Sequence, residues 1–114
     1  MMREIKAIIQ PFLLSIVVEA LKGIEGLPGL TVSEVQGFGR ARAAGCPGAF
    51  LDGTVEYVKK SKLEVVVPDV LAEKVIQVIR EHAHTGNAGD GKIFVHRLDE
   101  VVRIRTGDRG ESAI

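Results

Sequence analysis

The sequence predicts an α+β domain of the ferredoxin-like class, in which two helices cover one face of an antiparallel sheet. A strand–helix–strand pattern occurs twice within 114 residues, and in each copy a proline stands where the first strand passes to the helix. Proline has a fixed φ and no N–H, so it suits a helix start and interrupts a central ladder. Two such β-α-β units in one short chain form the ferredoxin-like arrangement.

The first unit begins with residues 4–10 (EIKAIIQ), which predict a strand that ends at Pro11. Residues 13–22 (LLSIVVEALK) predict an apolar helix closed by Gly23, and residues 30–36 (LTVSEVQ) predict the next strand.

The second unit begins with a strand at 62–67 (KLEVVV), which ends at Pro68, and finishes with a strand at 92–98 (KIFVHRL). Between them, residues 70–82 repeat apolar side chains at helical spacing. The apolar face of this helix comprises Leu71, Val75, Val78 and Ile79.

Both faces of the predicted sheet carry apolar side chains. Ile8, Val66 and Phe94 fall on the opposite parity from the neighbouring residues Ile9, Val67 and Val95. An antiparallel sheet with one wet face alternates cleanly between apolar and polar residues. We therefore expect the second face to be buried against other copies of the chain in an obligate oligomer.

Composition excludes several classes of function. Fifteen basic residues balance fifteen acidic ones, so no global field favours nucleic acid. The single cysteine, Cys46, cannot form an internal disulfide and suits a reducing compartment. Neither a membrane span nor a cleavable leader is predicted. We expect a cytoplasmic protein that does not insert into membranes.

Residues 37–61 carry five glycines and one proline with no sustained period. Long loops without regular structure are uncommon and are usually functional or disordered. We predict a protruding functional loop here.

Glycines and cations concentrate in three segments. Gly86 to Lys92 spells G-x-x-x-x-G-K, but Ile93 follows where a P-loop needs Ser or Thr to ligate Mg²⁺. The other two segments are GFGR (37–40) and RIRTGDRG (103–110), where Arg103 and Arg105 alternate in a predicted extended stretch. Glycines let successive N–H groups face one ligand. Together, the three segments predict a phosphate site.

The sequence resembles the PII signal-transduction family over nearly its whole length. The resemblance is carried by AIIQPF (7–12), GLTVSEVQGFGR (29–40), KLEVVVPD (62–69), TGNAGDGKIFV (85–95) and VVRIRTGDRGESAI (101–114). It implies one PII-like domain over 1–114, assembled as a homotrimer with ATP or ADP, and in principle AMP, in clefts between subunits. It also implies a protruding T-loop at 37–61, a phosphate-binding B-loop at 84–92 and a C-terminal loop at 103–114.

The resemblance also implies roles for individual residues. Thr31 and Glu64 would contact the adenine, and Arg103 and Arg105 would reach the phosphates from the neighbouring subunit. The residues around the phosphates and ribose would be Gly37, Arg40, Gly89, Asp90, Gly91 and Lys92. The implied nucleotide-binding set is completed by Gly29, Leu30, Phe38 and Gly39.

Two positions depart from the family pattern, namely Ala41 and Gly53, the second of which stands where well-known members have a tyrosine that is modified with uridylate. Ala41 stands where the family has a glutamine that ligates Mg²⁺ and, through it, 2-oxoglutarate. A methyl group offers no lone pair, so we expect 2-oxoglutarate to add little. Arg40 and Lys60 could hold a different small anion such as bicarbonate, although Lys60 also fits a solvated charge. Tyr57, the only tyrosine, is interpreted as a packed residue near the following strand.

We therefore predict a regulator without enzymatic activity or catalytic residues, which senses adenine nucleotides and controls a partner through loop 37–61. The partner would be a membrane transporter or an enzyme. The alternatives are a PII-like regulator of bicarbonate or metal-ion transport, and a slow nucleotide hydrolase.

Overall fold

The computed structural model of the protein describes residues 1–38, 49–52 and 55–114. Gly39, Arg40, Ala41, Cys46 and Gly53, which the sequence analysis singles out, lie outside the described residues.

An antiparallel sheet in the order β2-β4-β1-β5 forms the body of the domain, and β3 pairs with β4 off this path. The strands are β1 (Met2–Ile9), β2 (Thr31–Gly37), β3 (Ala49–Asp52), β4 (Val55–Pro68) and β5 (Gly91–Leu98). The helices are α1 (Leu14–Lys22) and α2 (Asp69–Ala83), with short 3₁₀ turns at Pro11–Leu13 and Gly110–Ala113. This confirms the predicted ferredoxin-like fold, and every predicted helix and strand is present.

Part of the predicted loop 37–61 is regular, so the expectation of irregular structure throughout it is wrong. β4 begins at Val55 rather than at residue 62. β3 pairs antiparallel with the first four residues of β4, from Ala49↔Val58 to Asp52↔Val55. Val55 and Tyr57 are residue types enriched in strands, and their alternation is a short β signal that the neighbouring glycines obscure. The loop is therefore partly built as a hairpin.

The core lies between the sheet and the two helices. Ile5 and Ile9 of β1 and Leu63 and Val67 of β4 are at most 2% exposed, because these alternate positions face the helices. They pack with Val17 and Leu21 of α1 and with Val75 and Ile79 of α2. Burial of each such side chain stabilises the fold by about 1.5–3 kcal/mol.

The opposite face of the sheet carries the second apolar set together with charged residues. The register places Val66 beside Glu4, Phe94 beside Lys6, and Ile8 beside Lys62. The Lys6 ammonium lies 5.3 Å from the centre of the Phe94 ring, a cation–π distance. We refer to this surface as the helix-free face; its predicted burial in an oligomer remains a prediction.

Among the described residues, no helix has the length and apolar character that crossing a membrane requires.

Candidate functional site

The glycine-rich loop 84–91 lies at the edge of the sheet where β1 and β2 end. Ile9 pairs with Gly91 on one side and with Ser61 on the other, and Ser61 pairs with Glu34 of β2. The antiparallel register therefore brings the start of β5 and the last residue of β2, Gly37, to the same edge. This is where the sequence analysis predicts that two of its three phosphate-directed segments meet.

The Asp90 carboxylate organises the loop from inside. It accepts hydrogen bonds from the backbone N–H of Thr85 at 2.8 Å, from the N–H of Gly86 at 2.9 Å, and from the Thr85 hydroxyl. Thr85 Oγ1 in turn accepts from the Asn87 N–H at 3.1 Å. Asp90 was predicted to lie near the phosphates and ribose, and the structure adds that its carboxylate ties residues 85–87 together.

These contacts also change the acidity of Asp90. Desolvation raises the pKa of the carboxyl, but the hydrogen bonds from Thr85 and Gly86 and the charge of His84 outweigh it, so the pKa lies below its ordinary value. At neutral pH the carboxylate is therefore ionised and accepts these three hydrogen bonds.

Two side chains from the sheet bind the loop at one backbone atom. The Gly89 carbonyl oxygen accepts from Gln10 Nε2 at 3.0 Å and also from Lys60 Nζ. Lys60 is half-buried and bonded, so the interpretation of this residue as a solvated charge is wrong. Sequence reasoning did not identify Gln10 as a functional candidate; the only available signal was a polar residue at the last strand position before Pro11.

Gly91 is required by the approach of the loop to β1. Its φ is +107°, and a Cβ built at this position would lie 1.7 Å from the Ile8 carbonyl oxygen. Gly86 and Gly89 also have positive φ values, +90° and +93°. Gly37 differs, since its φ is not in the left-handed region and a Cβ there would meet nothing within 4 Å. The described part of the chain thus does not explain why residue 37 is a glycine.

A second part of the candidate site lies further along the helix-free face. Thr31 pairs with Glu64 across β2 and β4, and both line a cleft of about 390 Å³ with Gly29 and Leu30. Lys62 Nζ lies 3.6 Å from Glu64 Oε1. Thr31 and Glu64, assigned to the adenine by resemblance, are thus brought together by the fold with Gly29 and Leu30 of the implied nucleotide-binding set. Val101 and Ile114 close the cleft from the C-terminal segment.

The two parts of the site are connected by β4. Glu64 and Lys60 lie on the same face, four residues apart, which corresponds to about 13 Å at ~3.3 Å per strand residue. Lys62 lies between them, and Lys92 lies next to Ile8 at the loop. The face thus presents a cleft of about 390 Å³ at one end and a glycine loop followed by Lys92 at the other.

The C-terminal arginines do not join the loop within one protomer. The predicted extended alternation of Arg103 and Arg105 is wrong, because residues 104–106 form a turn and the Gly107 N–H donates to the Arg103 carbonyl at 2.7 Å. Arg103 Nη1 lies 3.8 Å from Asp108 Oδ2, and Ile104 is completely exposed. Gly107, with φ of +76°, permits this reversal of the chain, whereas the alternating residues 103–105 had predicted an extended strand.

Phe38 and Tyr57 contact each other at the base of the long loop. Their ring centroids lie 6.3 Å apart with an interplanar angle of 61°, an edge-to-face pair. Tyr57 is half-buried in β4, which confirms that it is a packed residue.

Lys60 also borders a smaller cleft of about 220 Å³ on the edge between β2 and β4, together with Lys59, Val35 and Pro11. A small anion at this position would compete with Gly89 for the Lys60 ammonium. Among the residues described, no group of three or more His, Cys, Asp or Glu side chains could hold a metal ion.

Comparisons with known proteins agree on one family. The family model described as "Nitrogen regulatory protein P-II" matches residues 2–108. A nitrogen regulatory protein P-II of Azospirillum brasilense is 48% identical over 113 residues, which is 99% of this chain and 100% of that protein. The one of Rhizobium meliloti is 49% identical with the same coverage. The crystal structure of Arabidopsis thaliana PII bound to citrate aligns with a TM-score of 0.80 and 41% identity, covering 99% of this chain and 92% of that one.

Proposed function

Since this chain belongs to the P-II family of nitrogen regulatory proteins, signal transducers rather than enzymes, we propose that it senses ATP and ADP and passes the result to a partner protein through loop 37–61.

The arrangement of the helix-free face carries the proposal. The loop 84–91 is held in one shape by Asp90 and against the sheet by Gln10 and Lys60, so its backbone is set before a ligand arrives. Lys92 supplies a cation that makes no ion pair within the described part of the chain. The Thr31–Glu64 cleft lies on the same face, where the adenine of a nucleotide with its phosphates at the loop would fit.

The site is completed by a second protomer in this proposal. Arg103 and Arg105 lie in a turn of the C-terminal segment, whereas the loop lies at the edge where β1 ends. In a homotrimer, the arginines of one chain would reach the phosphates held by its neighbour. The apolar residues of the helix-free face and the fully exposed Ile104 support burial in such an assembly.

Nucleotide binding would reach loop 37–61 through its two ends. Gly37 ends β2 at the same edge of the sheet as the phosphate loop, and Lys60 connects Gly89 directly to β4, the strand that leads out of loop 37–61. Differential contacts of about 1–3 kcal/mol suffice for allosteric coupling. The loop conformation would then decide whether a transporter or an enzyme is bound or released.

Calorimetry on the intact protein tests the proposal, with ATP, ADP and AMP titrated with and without Mg²⁺ and 2-oxoglutarate. We expect ATP and ADP to bind competitively, AMP to bind more weakly, and 2-oxoglutarate to add little because Ala41 offers no metal ligand. Indifference to millimolar adenine nucleotides, or a monomer in sedimentation analysis, would overturn the proposal. Strong 2-oxoglutarate uptake that depends on Mg-ATP would overturn only the expectation based on Ala41.

A further inference from the structure

The Gly89 carbonyl oxygen is saturated by two side-chain donors. Gln10 Nε2 lies 3.0 Å from it, and Lys60 Nζ donates to the same atom. A carbonyl oxygen has two lone pairs, so both are used. Neither donor belongs to the loop: Gln10 follows β1 and Lys60 lies within β4.

Without these donors the Gly89–Asp90 peptide has an alternative orientation. Rotation of this peptide plane changes ψ of Gly89 and φ of Asp90. Gly89, whose φ is +93°, has no Cβ to resist the first change, and aspartate is among the residues that tolerate the left-handed region. A rotated peptide would turn a carbonyl oxygen, which carries partial negative charge, away from the sheet and toward the ligand side of the loop. A phosphate there would be repelled.

We propose that Gln10 is a positioning residue for the phosphate site, which holds the Gly89–Asp90 peptide in the orientation that accepts an anion. The inference rests on the proposed function, since it names the residue on which that nucleotide site depends. Gln10 is 3% exposed at the end of a strand paired on both sides, so its amide has a fixed place from which to donate.

Gln10 is separable from Lys60 because it is neutral. Removal of Lys60 deletes both a hydrogen bond and a positive charge near the phosphates, and the two losses cannot be told apart. Removal of the Gln10 amide deletes only a donor. Any resulting loss of affinity must then arise from the loop geometry rather than from the electrostatic field.

The test compares nucleotide affinities of Gln10→Leu, Gln10→Glu and Gln10→Lys by calorimetry, with Gln77→Leu as a matched control on the exposed side of α2. Gln10→Leu should weaken ATP and ADP binding by about 3- to 10-fold, the worth of one hydrogen bond. Gln10→Glu should weaken it further, because a carboxylate repels the carbonyl and competes for Lys60. Gln10→Lys restores a donor and should recover most of the affinity.

The ratio of ATP affinity to AMP affinity separates positioning from general stability. Loss of loop geometry should lower this ratio in Gln10→Leu, whereas mere destabilisation would lower the melting temperature and leave the ratio unchanged. Equal affinities in wild type, Gln10→Leu and Gln10→Glu would overturn the inference while leaving nucleotide sensing intact. If the wild-type protein binds no adenine nucleotide, the proposed function itself fails.

If Gln10→Leu does not fold, Gln10→Met takes its place, since methionine is neutral, has nearly the length of glutamine and offers no donor. Weaker ATP binding in Gln10→Met than in wild type supports the inference, and equal binding overturns it.

Discussion

Two turns of this chain carry glycines and cations, and they are attached to the molecule in opposite ways. The loop 84–91 is bonded internally through Asp90 and externally through Gln10 and Lys60. The hydrogen bonds and ion pairs described for the C-terminal turn 101–110 stay between Glu100 and Ser112, and its tip residue Ile104 is fully exposed. One turn is built into its own protomer, and the other projects from it.

This difference indicates that the two turns have different roles. A loop whose backbone is held by the sheet can present a fixed anion site, because little order must be gained on binding. A self-contained turn with an exposed apolar tip suits contact with another molecule, and in our proposal that molecule is the neighbouring subunit. The following four experiments probe this contrast, beginning with the largest expected effect.

Gly91→Ala, in loop 84–91, should cause the largest loss of stability. Its Cβ would collide with the Ile8 carbonyl oxygen, so the edge strand must move away from β1 in addition to the backbone strain at φ of +107°. We expect a loss of at least about 3 kcal/mol in the free energy of unfolding. Urea denaturation at fixed protein concentration measures it.

Gly107→Ala is the matched control in the projecting turn. It also has a positive φ, but a Cβ there meets nothing within 4 Å, so only the left-handed cost of about 1–2 kcal/mol applies. Equal losses in the two variants would contradict the contrast between the turns.

Lys92→Ala should weaken ATP binding by about 10- to 100-fold, since hydrogen bonds to charged groups contribute about 1.5–3 kcal/mol. AMP binding should change far less, because AMP carries one phosphate and ATP carries three. Calorimetry gives both affinities, and Lys74→Ala on the exposed face of α2 serves as the control. A parallel loss for AMP and ATP would show that Lys92 acts elsewhere.

Arg105→Ala should weaken ATP binding by about tenfold with little change in stability, since the side chain is exposed in a turn. Mixed assemblies with Lys92→Ala chains sharpen the test. A site shared between subunits would regain one intact cleft in each mixed trimer, whereas a site within one chain would regain none. The number of high-affinity sites per trimer therefore distinguishes the two arrangements.

Asp90→Asn should have the smallest effect, about 1 kcal/mol in the free energy of unfolding at neutral pH. The pKa of Asp90 is lowered in the folded protein, so its contribution is present above the ordinary value of 3.8 and is lost as the pH falls through the lower folded pKa. The stabilities of wild type and variant should converge in acid. Asp99→Asn, at an exposed position, is the control.

Much of the fold could be predicted from the spacing of apolar residues, because hydrophobic periodicity reports directly which side chains are buried. The helix at 70–82 was predicted from Val75, Val78 and Ile79, and these residues are buried against the sheet. The hairpin formed by β3 and the start of β4 was not predicted. Its four-residue strand is too short for a periodic signal and depends on pairing with a partner that only the folded chain supplies.

The candidate site was also predicted only in part. Thr31 and Glu64 were assigned to one end by resemblance, and the register brings them together. The contribution of Gln10 could not be predicted, since its function comes from a contact with Gly89, 79 residues away. The geometry of Arg103 and Arg105 was mistaken because a glycine two residues further on allows the chain to reverse.

The amino-acid sequence was sufficient to predict the order of strands and helices, the core face of each, the family of the chain and the residue types available to a phosphate. These properties depend on local spacing and composition. The folded chain was needed to identify which glycine packing requires, which carboxylate organises loop 84–91, and which distant side chains hold that loop in place. These properties depend on contacts between atoms far apart in the chain, and hydrogen bonds and steric exclusion act only once folding has brought those atoms within a few ångströms.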